Sequence, residues 1–503
     1  MNRKKNITKN SIYELLNRFL NVIGEFVIRA IIIKVLGEEF LGINGLFSSI
    51  LVLLNIAEMG FGSAMVYSMY KPIAEEDIDK LNALLLLYRR VYLIIGCCVL
   101  IVGCGISPLL PYFINGTYPN SINIYFVYYI YLINSVSAYF FGAYRASLFI
   151  ADQKSRIPAI VKCIAYFITS VVQCVILLKF KSYTLYIIIL PLYGISKNIV
   201  SYLLSIREYP NIKPKGKLEK NELKEIKQRV MGMSVYQIGG AIYSYADTLI
   251  ISANLGLITL AKYSNYFYII TGLNAISESI MNAIIPSIGN SVATESIEKN
   301  LDDFYKINRA SILLSIWAST CLVCLYQPFM ELWMGKDMLF PNYMLAVFGL
   351  YFYTLNSTRA VSIYKNAAGI WWEDHIRPII GIIVNIILSL LLVKTMGVFG
   401  VILATIITNI FINIPWASYY LFKVYFKRSY KKLLLSQIYG LLLLAIIVYV
   451  SYFICNLFTY KSLVIQLISN LIVSFLVNIF LVFFYLIICK CKNKINNNKI
   501  NNN

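Results

Sequence analysis

Residues 433–457 read LLLSQIYGLLLLAIIVYVSYFICNL, twenty-five positions without a charge. A helix of that length outspans the roughly 30 Å hydrocarbon core of a bilayer. Its apolar residues run on without alternating, so the stretch reads as a spanning helix and not as a barrel strand. Comparable runs recur throughout the chain. Working outward from this one, helices are expected over 11–36, 40–67, 84–106, 122–145, 157–179, 183–206, 230–254, 263–288, 307–327, 342–364, 376–395, 398–422 and 463–488 as well. Of the 503 residues 59% are hydrophobic and only 14% charged, and the mean hydropathy is +0.69. A soluble protein of this size needs more charge to cover its surface. The chain therefore reads as an all-α polytopic membrane protein of about 14 transmembrane helices.

The net charge of +21 raises the question of nucleic acid, and its distribution answers it. Lys and Arg gather in the N-terminal tail (Arg3, Lys4, Lys5, Lys9), at 207–229, at 423–432 and in the C-terminal tail. Nearly uncharged loops such as 107–121 alternate with them. That is the positive-inside pattern, with basic loops facing anionic cytoplasmic lipid. Both termini are expected in the cytoplasm, and no nucleic-acid partner is expected. The stretch 211–229 reads as a cytoplasmic basic linker, and 489–503 as a disordered Lys/Asn/Ile tail. Glu14, Arg18, Glu25 and Arg29 interrupt what would be the apolar region of a signal peptide.

Enzyme chemistry finds little to stand on. The ten cysteines are scattered, mostly inside helices. Cys321 and Cys324 form a CxxC with no second pair, so buried small hydrophobes is the default reading. The single histidine, His375, supports neither a His-based metal site nor a triad. There is no Walker motif, and Asp302-Asp303 has no folded domain around it to hold a sugar nucleotide. No enzyme activity, metal or cofactor is expected.

The chain also repeats itself at an offset of about 220 residues. Glu58 falls on Glu278, Arg89 on Arg309, Pro108 on Pro328, Tyr144-Arg145 on Tyr364-Lys365 and Pro158 on Pro378. One residue out of step, Leu36-Gly37 falls on Leu255-Gly256. Two six-helix halves follow, 1–210 and 230–428, with two extra helices at 433–488. An even helix number gives both halves the same orientation, a parallel repeat about the membrane normal.

The sharpest local signal is in the first helix. Glu14, Arg18, Asn21, Glu25 and Arg29 fall within an arc of about 80° at 100° per residue. A charge at the bilayer centre costs at least about 2.5–3.5 kcal/mol, so the stripe must face protein or a water-filled cavity. The plainer alternative is that Glu14–Arg18 and Glu25–Arg29 are i,i+4 pairs neutralising each other. Other intramembrane ionisable residues are Glu58, Lys197, Asp247, Glu278 and Arg359. Lys197 could snorkel to an interface. Glu58, Asp247 and Glu278 are candidate ion carriers, or in the case of the two glutamates local caps near Gly60, Gly62 and Pro286. Asp247 and Arg29 fall at nearly the same depth, so an ion pair between them is one reading of Asp247.

Four stretches resemble the Wzx-type polysaccharide and O-antigen flippases of the multidrug/oligosaccharidyl-lipid/polysaccharide exporter superfamily. They are LGEEFLGINGLFSSILVLLNIAEMGFGSAMVYSMYKPIAEED at 36–77, YRASLFIADQK at 144–154, GLITLAKYSNYFYI at 256–269 and KNAAGIWWEDHIRPIIGIIVN at 365–385. The resemblance covers about residues 10–430. It implies two six-helix bundles in a MATE-like arrangement around a cationic cavity in the bacterial inner membrane. The implied cargo is an undecaprenyl-pyrophosphate-linked oligosaccharide, and alternating access is the expected mode of transport. With no ATP site in the chain, a proton or sodium gradient is the available energy source. Arg18 and Arg29 occupy positions that face the cavity in relatives. Asn21, Glu25, Arg145, Arg359 and Lys365 complete the expected cargo-binding set, and contact with the polysaccharide polymerase machinery is implied. A multidrug exporter and a flippase for the peptidoglycan lipid precursor are the alternatives within the superfamily. The run Trp371-Trp372-Glu373-Asp374-His375 falls in an expected cytoplasmic loop and has no assigned role at this level beyond closing the turn between the tenth and eleventh helices.

Overall fold

The computed structural model describes residues 3–58, 60–116, 118–282, 284–370 and 373–480. Trp371, Trp372, the expected helix end at 481–488 and the tail 489–503 lie outside the described residues. The chain forms two compact units, Met1–Ala261 and Lys262–Asn503. The first holds α1 (Arg3–Val35), α2 (Glu38–Leu54), α3 (Phe61–Ala74), α4 (Ile78–Ile106), α5 (Ile124–Phe140), α6 (Ala146–Ala151), α7 (Arg156–Phe180) and α8 (Tyr183–Glu208). It also takes the first part of α9 (Lys220–Asn282). The second holds α10 (Ile285–Thr294), α11 (Ile297–Met334), α12 (Tyr343–Asn356), α13 (Arg359–Ala368), α14 (Ile376–Thr408), α15 (Ile414–Leu421) and α16 (Lys431–Leu457). A last helix, α17, covers Leu463–Phe480.

Among the described residues eight helices are long and apolar enough to cross a membrane, or nine if the bent pair Ile124–Phe140 and Ala143–Ala151 is one span. Two of the eight are far too long for one crossing: Ile238–Met281 has 44 residues and Ile376–Phe426 has 51. Each is two helices joined at a glycine with positive φ, Gly256 (φ 81°) and Gly397 (φ 60°). The first helix falls outside the eight because of its charge stripe. The helix expected over 40–67 is divided: α2 runs into a 3-10 turn at Asn55–Glu58, and α3 begins after Gly60 (φ 89°).

The backbone carries the repeat. Gly37 (φ 114°, ψ 171°) and Gly256 (φ 81°, ψ 175°) each separate two helices. Gly116 and Gly335, at the same spacing, have φ 90° and 91°. Glu75 and Glu295, 220 residues apart, are the C-terminal caps of α3 and α10.

Aromatic rings fill the interior. In the first unit Phe47 meets Tyr128 and Tyr131 edge-on at 5.5 and 5.7 Å. In the second, Phe304, Tyr364, Phe422 and Phe426 form one buried cluster. The two C-terminal helices dock on α11. Ile312, Ile316, Tyr353, Leu444 and Ile447 pack together, and Asn470 Nδ2 donates to the carbonyl of Cys324 at 2.9 Å. Cys324 is buried and Cys321 Sγ lies 3.8 Å from Ser474 Oγ, so the CxxC serves helix packing.

Candidate functional site: the charged face of the first helix

The first helix has three distinct faces. Ile12, Leu16, Phe19, Ile23 and Val27 are all exposed and form an apolar stripe suited to lipid. The second face packs on α7. There Tyr166 Oη donates to the Asn21 carbonyl at 3.2 Å, and Cys163 Sγ lies 3.8 Å from the Tyr13 carbonyl. Gly24 permits the approach, since a Cβ there would stand 2.5 Å from Tyr166 Oη.

The third face is the charged stripe. At 100° per residue its centre lies about 160° from the centre of the lipid stripe, so the charges point away from hydrocarbon. Glu14 and Arg18 are exposed, and Asn21, Glu25 and Arg29 are partly buried. Glu25 and Arg29 form an ion pair at 3.4 Å, with 41% and 15% of their side chains exposed. Asn21 Nδ2 donates to the Asn17 carbonyl at 2.7 Å. Beyond this end of the stripe lies a layer of hydroxyls. Tyr131 donates to Asn44 Oδ1, its oxygen is 3.4 Å from that of Tyr183, and Asn44 Nδ2 donates to Tyr186 at 3.5 Å. Tyr131 and Tyr186 stand within electrostatic reach of Glu25. At the other end a half-open cavity of about 280 Å³ is lined by Ile12, Tyr13, Arg156 and Ile160. A stripe of this kind can bind an anion at Arg18 and Arg29 while the neighbouring carboxylates limit the affinity.

The other expected residues divide between the units. Glu58 ends the 3-10 turn of the broken second helix. It accepts from Tyr92 and from Tyr139 at 2.8 Å. Asn55 on the same turn accepts from Tyr139 at 2.9 Å and from Ser135 at 3.0 Å. Lys197 Nζ sits 4.8 Å from the ring centre of Tyr193. Asp247 is buried on the first part of α9, in the same unit as Arg29.

In the second unit Glu278 pairs with Arg359 at 3.1 Å, and Asn356 accepts from Arg359 Nε at 3.3 Å. A half-open apolar cavity of about 150 Å³ beside Asn356 is lined by Leu273, Ile276, Trp317 and Phe352 among others; it has the size and polarity for a stretch of hydrocarbon.

Arg145 and Lys365 are buried and committed within their own units. Arg145 donates to the carbonyls of Ile212 and Ser205 at 3.2 and 3.5 Å, tying the end of α8 to the segment that follows. Nearby, Tyr209 donates to Asp152 at 2.8 Å; burial and that carboxylate raise its pKa. Lys365 pairs with Asp374, which also takes Arg377 at 2.9 Å. Asp374 is thus the buried acceptor that closes the turn before α14. That agrees with the sequence reading of its run as a closure of the turn, whereas Asn55, Tyr92 and Tyr139 had no role there. The repeat offset was a usable signal, since it places Tyr139 opposite Arg359.

An all-helical chain of apolar spans with broken helices and a charged face on the first helix fits the class of polytopic membrane transporters. The polysaccharide biosynthesis protein family model matches residues 7–292, more than half of the chain, and the chain belongs to that family. The fold is similar to that of "Lipid II flippase MurJ, inward closed conformation", with a TM-score of 0.66, 18% identity and 95% of this chain and 99% of that chain covered. It is also similar to an inward-facing multidrug resistance MATE family transporter of the MOP superfamily (TM-score 0.63, 13% identity, 86% and 98% covered). A third likeness is to the Vibrio cholerae MATE transporter VcmN (0.57, 11%, 85% and 98%). Such identities speak to the fold alone. No curated protein matches the chain.

Proposed function

We propose that this protein is a flippase that carries a polyprenyl-pyrophosphate-linked oligosaccharide across the membrane by alternating access, for surface polysaccharide assembly, and that it is not an enzyme. The observation that supports this reading is the charged face of the first helix, in a chain of the polysaccharide biosynthesis family. A membrane helix keeps exposed charges only toward a water-filled cavity. A pyrophosphate cannot cross hydrocarbon unaided, and arginine binds phosphate oxygens bidentately while never losing its charge. Arg18 and Arg29 are the proposed phosphate ligands, with Asn21 and Glu25 beside them. Arg359 is held by Glu278, and Arg145 and Lys365 by partners in their own units, which favours scaffolding for these three.

The proposed topology has fourteen crossings in the bacterial inner membrane, with both termini and the 211–229 linker in the cytoplasm. The proposed repeats are 1–210 and 230–428, followed by the pair 433–488. Glu58, Asp247 and Glu278 are the carboxylates available for coupling to a proton or sodium gradient. The peptidoglycan lipid precursor shares the polyprenyl-pyrophosphate group and is the second reading, favoured by the fold likeness to a lipid II flippase. Two arginines on the first helix speak against an exporter of cationic drugs.

The test is reconstitution. Purified protein is placed in vesicles with a fluorescent polyprenyl-pyrophosphate oligosaccharide, and glycan movement is read by an impermeant glycosidase. Protection or exposure of glycan well beyond protein-free vesicles is expected. No movement of that lipid, together with transport of a cationic dye, would overturn the reading.

A further inference from the structure

The chain that leaves α8 does not run free to α9. Residues 209–219 lie between the two helices, within the first unit, and are held from several sides. On the side of α6, Tyr209 Oη donates to Asp152 at 2.8 Å, and its ring meets that of Phe149 at 5.5 Å. Lys154 joins Asp152 to Glu208, at 2.9 and 2.6 Å. From just before α6, Arg145 donates to the Ile212 carbonyl through both Nη1 and Nη2, at 3.2 and 3.3 Å. On the side of α4, the Lys213 N–H donates to Asn82 Oδ1 at 2.6 Å, and Gly216 lies against Ala83. Lys80 then pairs with Glu222 in the first turn of α9, and the Glu219 N–H donates to the same carboxylate at 3.4 Å.

Burial shows that the docking is part of the fold. Arg145 and Asn82 are only 3% and 2% exposed. A buried guanidinium or amide is costly unless its hydrogen bonds are made. Arg145 meets this need with the Ile212 carbonyl and with Ser205 Oγ at 3.2 Å. Burial also alternates along the segment. Ile212 is buried, Pro214 and Leu218 are partly buried, and Lys213, Lys215 and Lys217 between them are exposed. Alternation of that kind belongs to an extended chain lying on a surface in one register. A freely swinging tether has no fixed side to bury.

We propose that residues 209–222 are a strap belonging to the first unit, that it fixes the end of α8 and the first turn of α9 to the start of α4, and that it stays docked through the transport cycle. The last of these rests on the flippase reading above. A loose tether would let the start of α9 turn without moving α8. The strap makes the ends of α4, α6 and α8 and the first turn of α9 shift as one piece, so a change of shape has to be taken up after Glu222.

Limited trypsin digestion of the full-length purified protein reads the docking. Lys215 and Lys217 are exposed, yet a protease needs the segment to peel away before it can cut. Cleavage after these lysines should be slower in the folded protein than in the unfolded chain by at least about 100-fold, because it tracks the opened population. Asn82→Ala removes a buried acceptor and should speed cleavage about tenfold. Equal rates in folded and unfolded protein, or an unchanged rate in Asn82→Ala, overturn the strap. Should Asn82→Ala fail to accumulate, Lys80→Met serves, since it breaks the pair with Glu222. Its cleavage should also quicken, and an unchanged rate overturns the strap.

A disulfide reads the cycle. A Cβ on Gly216 would stand 3.6 Å from the Ala83 Cβ, a separation that a disulfide spans. Ala83→Cys combined with Gly216→Cys is oxidised, and the new bond is located by mass spectrometry. Failure of that bond to form overturns the docking. Gly216 has φ 94°, so the same double mutant kept reduced is the reference for speed in vesicles. The oxidised protein should move the glycan lipid as fast as the reduced one. Movement lost on oxidation and restored by reductant overturns a strap that stays docked. No movement of glycan lipid by the wild type in any vesicle overturns the flippase reading and leaves the strap, as read by trypsin, standing.

Discussion

Gly37 and Gly256, 219 residues apart, take nearly the same backbone conformation, φ 114° and ψ 171° against φ 81° and ψ 175°. This region of the backbone map is open essentially to glycine alone. Each residue ends one helix and starts the next in the smallest space.

Alanine at either position should therefore destabilise the protein, by on the order of 1–3 kcal/mol of backbone strain. The two should differ. A Cβ on Gly37 meets nothing within 4 Å, whereas one on Gly256 would stand 2.9 Å from the carbonyl oxygen of Asn115. Asn115 is itself fixed, with its N–H donating to the Ser252 carbonyl at 3.1 Å and its Nδ2 to the Asn254 carbonyl at 2.5 Å. Thermal unfolding in detergent should show Gly256→Ala falling further than Gly37→Ala. Equal losses would mean that the Asn115 contact has little influence.

The Glu25–Arg29 ion pair separates cargo binding from scaffolding. If Arg29 holds the pyrophosphate, Arg29→Ala abolishes export of surface glycan at normal protein level. Arg29→Lys then recovers part of it, since a point charge replaces the bidentate fork incompletely. Glu25→Ala combined with Arg29→Ala should remain inactive. Normal export by that double mutant would reduce the pair to internal neutralisation, because removing both members of an ion pair is often tolerated. Glycan export and membrane protein level are measured together for each variant.

Asp374 should be a stability residue. It is buried between Lys365 and Arg377. Asp374→Asn leaves two cations facing each other and should cost about 3–5 kcal/mol, the usual penalty for breaking a buried pair from one side. Lys365→Met added to Asp374→Asn should recover part of that loss in detergent unfolding. If Lys365→Met alone removes export while stability and level stay normal, Lys365 is a cargo ligand and the scaffold reading fails.

Much of the fold could be read before any coordinates. Continuous apolar runs decide for helices because backbone groups in lipid must be satisfied within their own segment, and each expected range is mainly helical within the described residues, with 40–67, 122–145 and 342–364 each interrupted. A common offset of 220 residues is a property of the sequence too, held by landmarks such as Glu58 and Glu278. The charged stripe was legible because helical periodicity is a property of sequence spacing. All of these depend on neighbours along the chain.

What sequence left open depends on neighbours in space. Spacing allowed Glu25 and Arg29 to pair but could not say that they do. Gly60 and Gly62 hinted at an irregularity beside Glu58, but the partners that hold the break come from tertiary packing, where Ser135 and Tyr139 on α5 take up the polar groups of Asn55 and Glu58. Nothing adjacent to Glu58 in sequence names Tyr92 or Tyr139, which lie 34 and 81 residues away. Likewise Lys365 reads as a free cation until the turn before α14 brings Asp374 onto it. Hydrophobicity and periodicity are summed residue by residue, so the chain alone determined the helices and the polar face of the first. Partners for buried charges are set by which helix faces meet, and that was decided only by the folded bundle.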